Sequence, residues 1–281
     1  MANSEERTVA FGGAATTSHS RPLLLGHRGV RRKLRRVPPD SRISRPGLYR
    51  IPAENTLAAF DYALDHGCDG FEFDVRFTRD QRCVICHDPK YLRKEVAGTD
   101  YASLCRPGHD LTCLEDVLAR FSRAAYLDVE LKVAGNEEAV LAALREYPPH
   151  CGYVVSSFLP EVLRRLRWLD PALALGYICD HPSDAWLWAE LPIQVFLPHR
   201  SLVSQRLVDE VHKRDVQVFT WTVNHRSEML RFAGWGVDGL ISDDPVLLAA
   251  TFPGSPFPAK SEERTAKSDS RNSPQRTPSS D

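Results

Sequence analysis

The sequence lacks several things, and each absence removes a class of function. No apolar run approaches the roughly 20 residues needed to cross a bilayer. Residues 1–22, MANSEERTVAFGGAATTSHSRP, do not join a basic region to a continuous apolar one, so they do not read as a secretory signal. A Gly-rich phosphate loop is missing, because Gly26-His27-Arg28-Gly29 lacks the required spacing. The seven cysteines are an odd number at irregular positions, and a chain of 281 residues is too long to need staples. Reduced thiols and a cytoplasmic location are therefore expected. Excess charge is absent as well: 36 Lys and Arg face 37 Asp and Glu, for a net charge of −1, which counts against nucleic-acid binding.

The hydrophobic share of 42% and charged share of 26% are ordinary for a soluble globular protein. The charge is unevenly spread, however. Residues 31–50 hold eight Arg or Lys (Arg31, Arg32, Lys33, Arg35, Arg36, Arg42, Arg45, Arg50) against Asp40, a local +7 that leaves −8 for the rest. Residues 1–21 are small and polar, and residues 253–281 are rich in Pro, Ser, Lys and Arg. Such segments bury too little surface to offset their ordering entropy, so disorder is expected at both ends, around a domain of residues 22–252.

Within that domain eight short apolar runs alternate with helical patterns: Leu23–Gly26, Gly70–Val75, Tyr126–Leu131, Tyr153–Ser157, Leu173–Ile178, Gln194–Leu197, Gln217–Trp221 and Gly239–Ser242. Leu57, Phe60 and Leu64 share a helical face before a stop at Gly67, and Val162, Leu163, Leu166 and Leu169 share another. Thr112 and Glu115 are spaced as a capping box. Eight strands, each followed by a crossover, predict an α/β fold of the (β/α)8 TIM-barrel type. A doubly wound open sheet would need fewer strands and usually the missing phosphate loop. After the second strand, Phe71–Arg76 and Arg82–His87 are joined by too few residues for a helix, so a β-hairpin is expected. If it closes near Asp80, Asp74 lies across from Cys86 and His87 returns beside the carboxylates.

Active sites of such barrels gather at the C-terminal ends of the strands. Glu72 and Asp74, two apart on a strand, share a face, and Glu130 lies on the third strand with Lys132 on its own face. Three converging carboxylates repel one another unless a cation sits between them, and oxygen-only ligands favour Ca²⁺ or Mg²⁺ over zinc. The plain alternative is pairing of these acids with Arg or Lys at the rim. His27 and His87 stand at predicted strand ends beside this cluster. One can take a proton from a nucleophile while the other gives one to a leaving oxygen. With Arg28 and Lys132 available to hold a phosphate, phosphoryl chemistry is the economical reading.

The ordered set HRG, AENTLAAF, DGFEFDVRFTRD, CHD, TCLEDVL, VELK, SSF, WTVN and GVDGLISDDP, spread over about residues 23–250, resembles the glycerophosphodiester phosphodiesterase family. Single pieces are weak; the order and spacing together are specific. The resemblance implies a barrel with one divalent cation, Ca²⁺ or Mg²⁺, held by Glu72, Asp74 and Glu130. It implies His27 and His87 as the acid–base pair, Arg28 and Lys132 neutralising the phosphate, and Glu54 with Asn55 supporting the first loop. Trp221 would lie against the glycerol or headgroup carbons. The implied reaction attacks the diester with the neighbouring glycerol hydroxyl, and water then opens the cyclic phosphate to sn-glycerol 3-phosphate and an alcohol. The sequence departs from the family at residues 30–52, where a basic insertion separates HRG from Glu-Asn-Thr. The insertion admits three readings: a solvated loop, a lid over anionic diesters, or a peripheral contact of residues 31–50 with anionic membrane, each cation adding roughly 1 kcal/mol.

The partner expected is therefore a small-molecule glycerophosphodiester or lysophospholipid, and no nucleic acid. The rivals are a lysophospholipase of the D type, a phosphatidylinositol- or sphingomyelin-type phospholipase, and a catalytically silent membrane-binding domain. Cys83-x-x-Cys86 is set aside, since residues three apart on a strand point to opposite faces. His199-Arg200 falls at a strand end within reach of a substrate but is given no role. Asp243 is assigned to loop support. Trp186 and Trp188 are expected in core or partner packing.

Overall fold

The computed structural model describes residues 21–31, 51–106 and 111–254. The disorder expected for residues 1–21 and 253–281, and the basic insertion expected at 31–52, therefore fall almost wholly outside the described residues. In chain order the strands are β1 (Leu23–His27), β2 (Gly70–Phe77), β3 (Cys83–Ile85), β4 (Lys90–Tyr91), β5 (Lys94–Glu95), β6 (Tyr126–Leu131), β7 (Tyr153–Ser157), β8 (Leu175–Cys179), β9 (Val195–Pro198), β10 (Gln217–Thr220) and β11 (Gly239–Ser242). The helices are α1 (Leu57–Asp65), α2 (Tyr101–Leu104), α3 (Leu114–Phe121), α4 (Glu137–Glu146), α5 (Pro160–Leu169), α6 (Gln205–His212), α7 (Arg226–Gly234) and α8 (Pro245–Thr251).

Strands β1, β2 and β6–β11 pair in parallel, and β1 bonds to both β2 and β11, closing an eight-stranded cylinder. This is the predicted (β/α)8 barrel. The reason lies in the period-2 alternation of the strands. Leu24, Phe71, Phe73, Val75, Leu127, Val129 and Leu131 point outward into the main core beneath the helices. Leu23, Leu25, Val154, Ile178, Val195, Leu197, Phe219 and Ile241 point inward and fill the lumen, with Tyr126, Phe158 and Trp221 packed against them. The inward residues Glu72, Asp74, Asp128 and Glu130 belong to neighbouring β2 and β6, paired Glu72 to Asp128 and Asp74 to Glu130.

The hairpin is present with the expected register. Val75 pairs with Ile85 and Phe77 with Cys83, which sets Cys86 opposite Asp74, and the Cys86 amide donates to the Asp74 carbonyl at 2.9 Å. Cys83 joins the main core while Cys86 joins a smaller cluster under the loops, so the two thiols do face apart.

Local details differ from expectation. Helix α1 buries Ala59, Phe60 and Ala63; Leu57 and Leu64 are only partly covered. The capping box of α3 lies one residue later, between Cys113 and Asp116, because the chain bridges from Cys113 to Val84 of the hairpin and helical geometry begins only at Leu114. A 3-10 turn, Ala185–Ala189, replaces a helix between β8 and β9, and in it Trp188 stacks on Phe196 while Trp186 is exposed. The two-stranded ribbon β4–β5 and short α2 were not foreseen, since each is too short to carry a period.

Candidate functional site

The site is built at the C-terminal mouth of the barrel, from β1, β2, β6 and the hairpin return. The turn after β1 places Arg28 at φ +52° and Gly29 at φ +77°. At Gly29 a Cβ would meet the α1 backbone at Ala59 within 2.5 Å, so only glycine lets the helix approach this closely. Asn55 also sits in the left-handed region, at φ +58°, a conformation that asparagine tolerates better than most residues. Its amide N–H donates to the Arg28 carbonyl at 3.0 Å, and its side-chain Nδ2 donates to Asp74 Oδ2 at 2.8 Å. Glu54 accepts from Arg28 Nη1 at 2.8 Å. These two residues thus lock the first loop onto the carboxylate cluster.

Glu72, Asp74 and Glu130 are all buried, and one oxygen from each lies within 4.8 Å of the others. Glu72 Oε2 accepts the Arg28 backbone N–H at 2.9 Å. Arg28 Nε stands 3.1 Å from Asp74 Oδ2, and Lys132 Nζ reaches both Glu130 Oε1 and, at 3.5 Å, Asp74 Oδ1. Glu72 Oε1 and Asp74 Oδ1 are buried with no hydrogen-bond partner.

The electrostatics follow from crowding. Burial, and then the charges of Asp74 and Glu130, drive the Glu72 carboxyl well above the ordinary carboxylate range. Glu130 is pushed up to about 7, by burial first and Asp74 second, against the pull of Lys132. Asp74 goes the other way: burial alone would raise it, but Arg28, Lys132 and the Asn55 hydrogen bond together hold it below its usual value. One layer deeper, Asp128 is fully buried and pushed up to about 7 by burial, although Ser156 Oγ donates to it at 2.5 Å. Three carboxylates crowded this closely, two of them driven up in pKa, form an oxygen-only set suited to a divalent cation.

His27 contacts the cluster, and His87 follows Cys86, whose amide bonds to Asp74. His27 Nε2 lies 3.8 Å from Glu72 Oε2, and its Nδ1 is 2.6 Å from Asp243 Oδ1. Asn224 Nδ2 donates to the other Asp243 oxygen at 2.7 Å, and the Asp243 amide donates back to Asn224 Oδ1 at 2.9 Å. Asp243 is held below the usual carboxylate range: burial opposes this, but the His27 and Asn224 hydrogen bonds outweigh it. Asp243 therefore orients the histidine as well as the loop, a role sequence reasoning missed. The available signal was that β11 is the neighbour of β1 in any closed barrel. His87 is half-buried, with Nδ1 2.8 Å from Asp88 Oδ1, and its carbonyl is held by Arg76 Nε at 2.9 Å. Burial lowers the His87 pKa, outweighing the Asp88 hydrogen bond.

Opposite this cluster the mouth is aromatic. Lys132 Nζ lies 5.3 Å from the centre of the Phe158 ring, which meets Trp221 edge-on at 5.6 Å. Trp221 Nε1 donates to the Leu197 carbonyl at 2.9 Å, fixing the indole over the lumen. A cavity of about 730 Å³ borders Asp243, lined also by Arg31, Glu54, Asn224 and His225, but none of the three clustered carboxylates lines it. The charges converge at the cluster and not at that cavity.

Residues 27–106 and 94–247 match the glycerophosphoryl diester phosphodiesterase family. A glycerophosphodiester phosphodiesterase of Caldanaerobacter subterraneus is 29% identical over 220 residues, covering 69% of this chain and 90% of that protein. Mouse glycerophosphodiester phosphodiesterase 1 is 26% identical over 252 residues, covering 69% of this chain and 76% of its own. An Oleispira antarctica phosphodiesterase, solved with the product sn-glycerol-3-phosphate, superimposes with a TM-score of 0.67 at 22% identity, over 82% of this chain and 96% of that one.

Proposed function

Since the chain belongs to the glycerophosphoryl diester phosphodiesterase family, we propose a division of labour among its residues for that family's reaction. The protein is a phosphoric diester hydrolase that converts glycerophosphodiesters to sn-glycerol 3-phosphate and an alcohol. The observation that carries the residue assignment is the meeting of Glu72, Asp74 and Glu130 within 4.8 Å, two of them with buried, unpartnered oxygens.

These three residues would hold one divalent cation, Ca²⁺ or Mg²⁺. When bound it supplies positive charge for the phosphate and lowers the pKa of the attacking hydroxyl. His27 takes the proton of the glycerol hydroxyl adjacent to the phosphate. The Asp243 carboxylate at its Nδ1 supports this reading, because it keeps Nε2 as the accepting atom and stabilises the imidazolium that forms. His87, carried in from the hairpin, gives a proton to the departing alcohol oxygen. Arg28 and Lys132 balance the phosphate charge, with Glu54 and Asn55 holding Arg28 and Asp74 in register. Trp221 covers the carbon skeleton. An internal nucleophile begins with its entropy already reduced, which contributes several kcal/mol.

Peripheral contact of residues 31–50 with anionic membrane is a secondary proposal, resting on their charge of +7; residues 32–50 lie outside the described set. The seven cysteines are free thiols, which supports a reducing, cytoplasmic setting. Among the described residues no helix is long and apolar enough to cross a membrane.

The test is release of glycerol 3-phosphate from glycerophosphocholine. Turnover should vanish with EDTA and return with Ca²⁺ or Mg²⁺. Undiminished turnover in EDTA would remove the cation from the scheme, and no turnover of any glycerophosphodiester with any divalent ion would leave the silent binding domain.

A further inference from the structure

The two histidines of the scheme are anchored in different ways. His27 is held through its ring: Nδ1 meets Asp243, and Asn224 fixes that residue through both its side chain and its amide. Among the described residues the hydrogen-bond partner of the His87 ring is Asp88, its own neighbour on the same segment of chain. A tie between adjacent residues does not fix that segment to the barrel. The antiparallel ladder does so only as far as Cys86, whose amide donates to the Asp74 carbonyl. One residue later, the His87 carbonyl lies beyond the ladder and needs a donor from elsewhere. Arg76 supplies it, with Nε 2.9 Å from the carbonyl oxygen.

Arg76 comes to this carbonyl by the period of its strand. Glu72, Asp74 and Arg76 follow one another at intervals of two on β2, so all three share a face. Two of them belong to the carboxylate cluster, and the third reaches across to the hairpin return. Two other cations of the mouth are committed to acids: Arg28 to Glu54 and Asp74, Lys132 to Glu130 and Asp74. Among the described residues the hydrogen-bond acceptor of Arg76 is the His87 carbonyl. A hydrogen bond from a guanidinium is stronger than one between neutral groups. The Arg76 charge also bears on Asp88, whose carboxyl sits below its usual range through the His87 hydrogen bond first, with Arg76 a smaller influence in the same direction.

We propose that Arg76 is a positioning residue for departure of the alcohol: by tying the His87 carbonyl to the strand that carries Asp74, it keeps the imidazole where its proton reaches the leaving oxygen. The inference rests on the reading of His87 as the proton donor. In that step the bond from phosphorus to the alcohol oxygen breaks and its electron pair stays on the oxygen. The proton on His87 Nε2 passes to that oxygen, leaving a neutral ring whose Nδ1–H still donates to Asp88. A donor displaced by about 1 Å can lose on the order of a hundredfold in rate. An alcohol acidic enough to leave as its anion does not need the donor, so the loss depends on the leaving group.

The experiment compares kcat/KM, which covers the steps up to departure of the alcohol, for glycerophosphocholine and for the p-nitrophenyl diester of glycerol phosphate, whose phenol leaves as its anion. The ratio of the two on a single preparation does not depend on how much of it is folded. Arg76→Met should lower kcat/KM about ten- to a hundredfold on glycerophosphocholine and by no more than about twofold on the p-nitrophenyl diester. His87→Ala should show the same pattern with a larger loss on the choline diester. Arg76→Lys, which retains a cationic donor, should recover part of that loss. Arg79→Ala, which breaks the exposed pair with Asp100 beside the same hairpin, should leave the ratio intact. Equal losses on both diesters in Arg76→Met, or no loss on either, overturn this inference alone. A ratio that shifts as far in Arg79→Ala overturns it too, since any loosening of the hairpin would then suffice. An unchanged ratio in His87→Ala overturns the reading of His87 as the proton donor, and this inference with it.

Discussion

The two ends of the barrel each bury carboxylates, and they treat them in opposite ways. At the closed end, just before β2, Asp69 accepts Arg21 Nη1 at 2.7 Å, Arg21 Nη2 at 2.9 Å and the Leu24 amide at 2.8 Å. The same guanidinium donates to the Gly254 carbonyl, tying the two ends of the described chain together. At the mouth, three and five residues further along, Glu72 and Asp74 keep oxygens with no hydrogen bond and share their space with Glu130. A satisfied buried carboxylate stabilises a fold; a crowded, unsatisfied set costs stability and persists where it serves a ligand. The comparison separates residues that hold the barrel from residues that use it.

The largest effect expected is at the mouth. Glu72→Ala should lose both turnover and cation binding by calorimetry. His27→Ala and His87→Ala should each cost about 10²–10⁴ in kcat while cation binding survives. Near-normal turnover in His87→Ala would remove it from the acid–base pair. At the closed end, Asp69→Ala should destabilise by about 3–5 kcal/mol in urea unfolding, because it strands the Arg21 guanidinium, yet leave kcat of the folded protein close to normal. An Asp69 variant as stable as the wild type would dissolve the contrast.

The next prediction has the opposite sign. In the cation-free protein, Glu72→Gln should raise Tm, a gain of about 1 kcal/mol, by relieving repulsion at the cost of function. A fall in Tm would mean that the cluster is not in conflict with the fold.

A smaller, pH-dependent effect comes from Asp128. Its folded pKa is raised to about 7, above the unfolded value of about 3.9. Between those values the folded state binds the extra proton, so its contribution to stability is full below about pH 4 and is lost as pH rises to about 7. Asp128→Asn, measured without divalent ions, should remove that portion of the pH dependence; identical curves for variant and wild type would contradict it. Smallest of all, Arg206→Ala, which breaks the exposed pair with Glu210 on α6, should leave Tm unmoved within error.

Much of this was legible in the residues. Strands announced themselves because alternation over four or more residues has one compatible geometry. The short connection Phe77-Thr78-Arg79-Asp80-Gln81 could only be a hairpin, and its register brought His87 back beside Asp74. The two-residue strands β4 and β5 and the single-turn α2 carry no period and could not be read. Asp243 escaped its role because its partner His27 lies 216 residues away, and only barrel closure makes their strands neighbours.

The linear order of residues by itself determined the eight strands, which side chains share a face, and the types of group that end at the mouth, because period and residue chemistry are local properties. Only the closed cylinder decided which of those groups meet. Distances between side chains on different strands follow from strand neighbours and register, and these are set when the whole lumen packs at once.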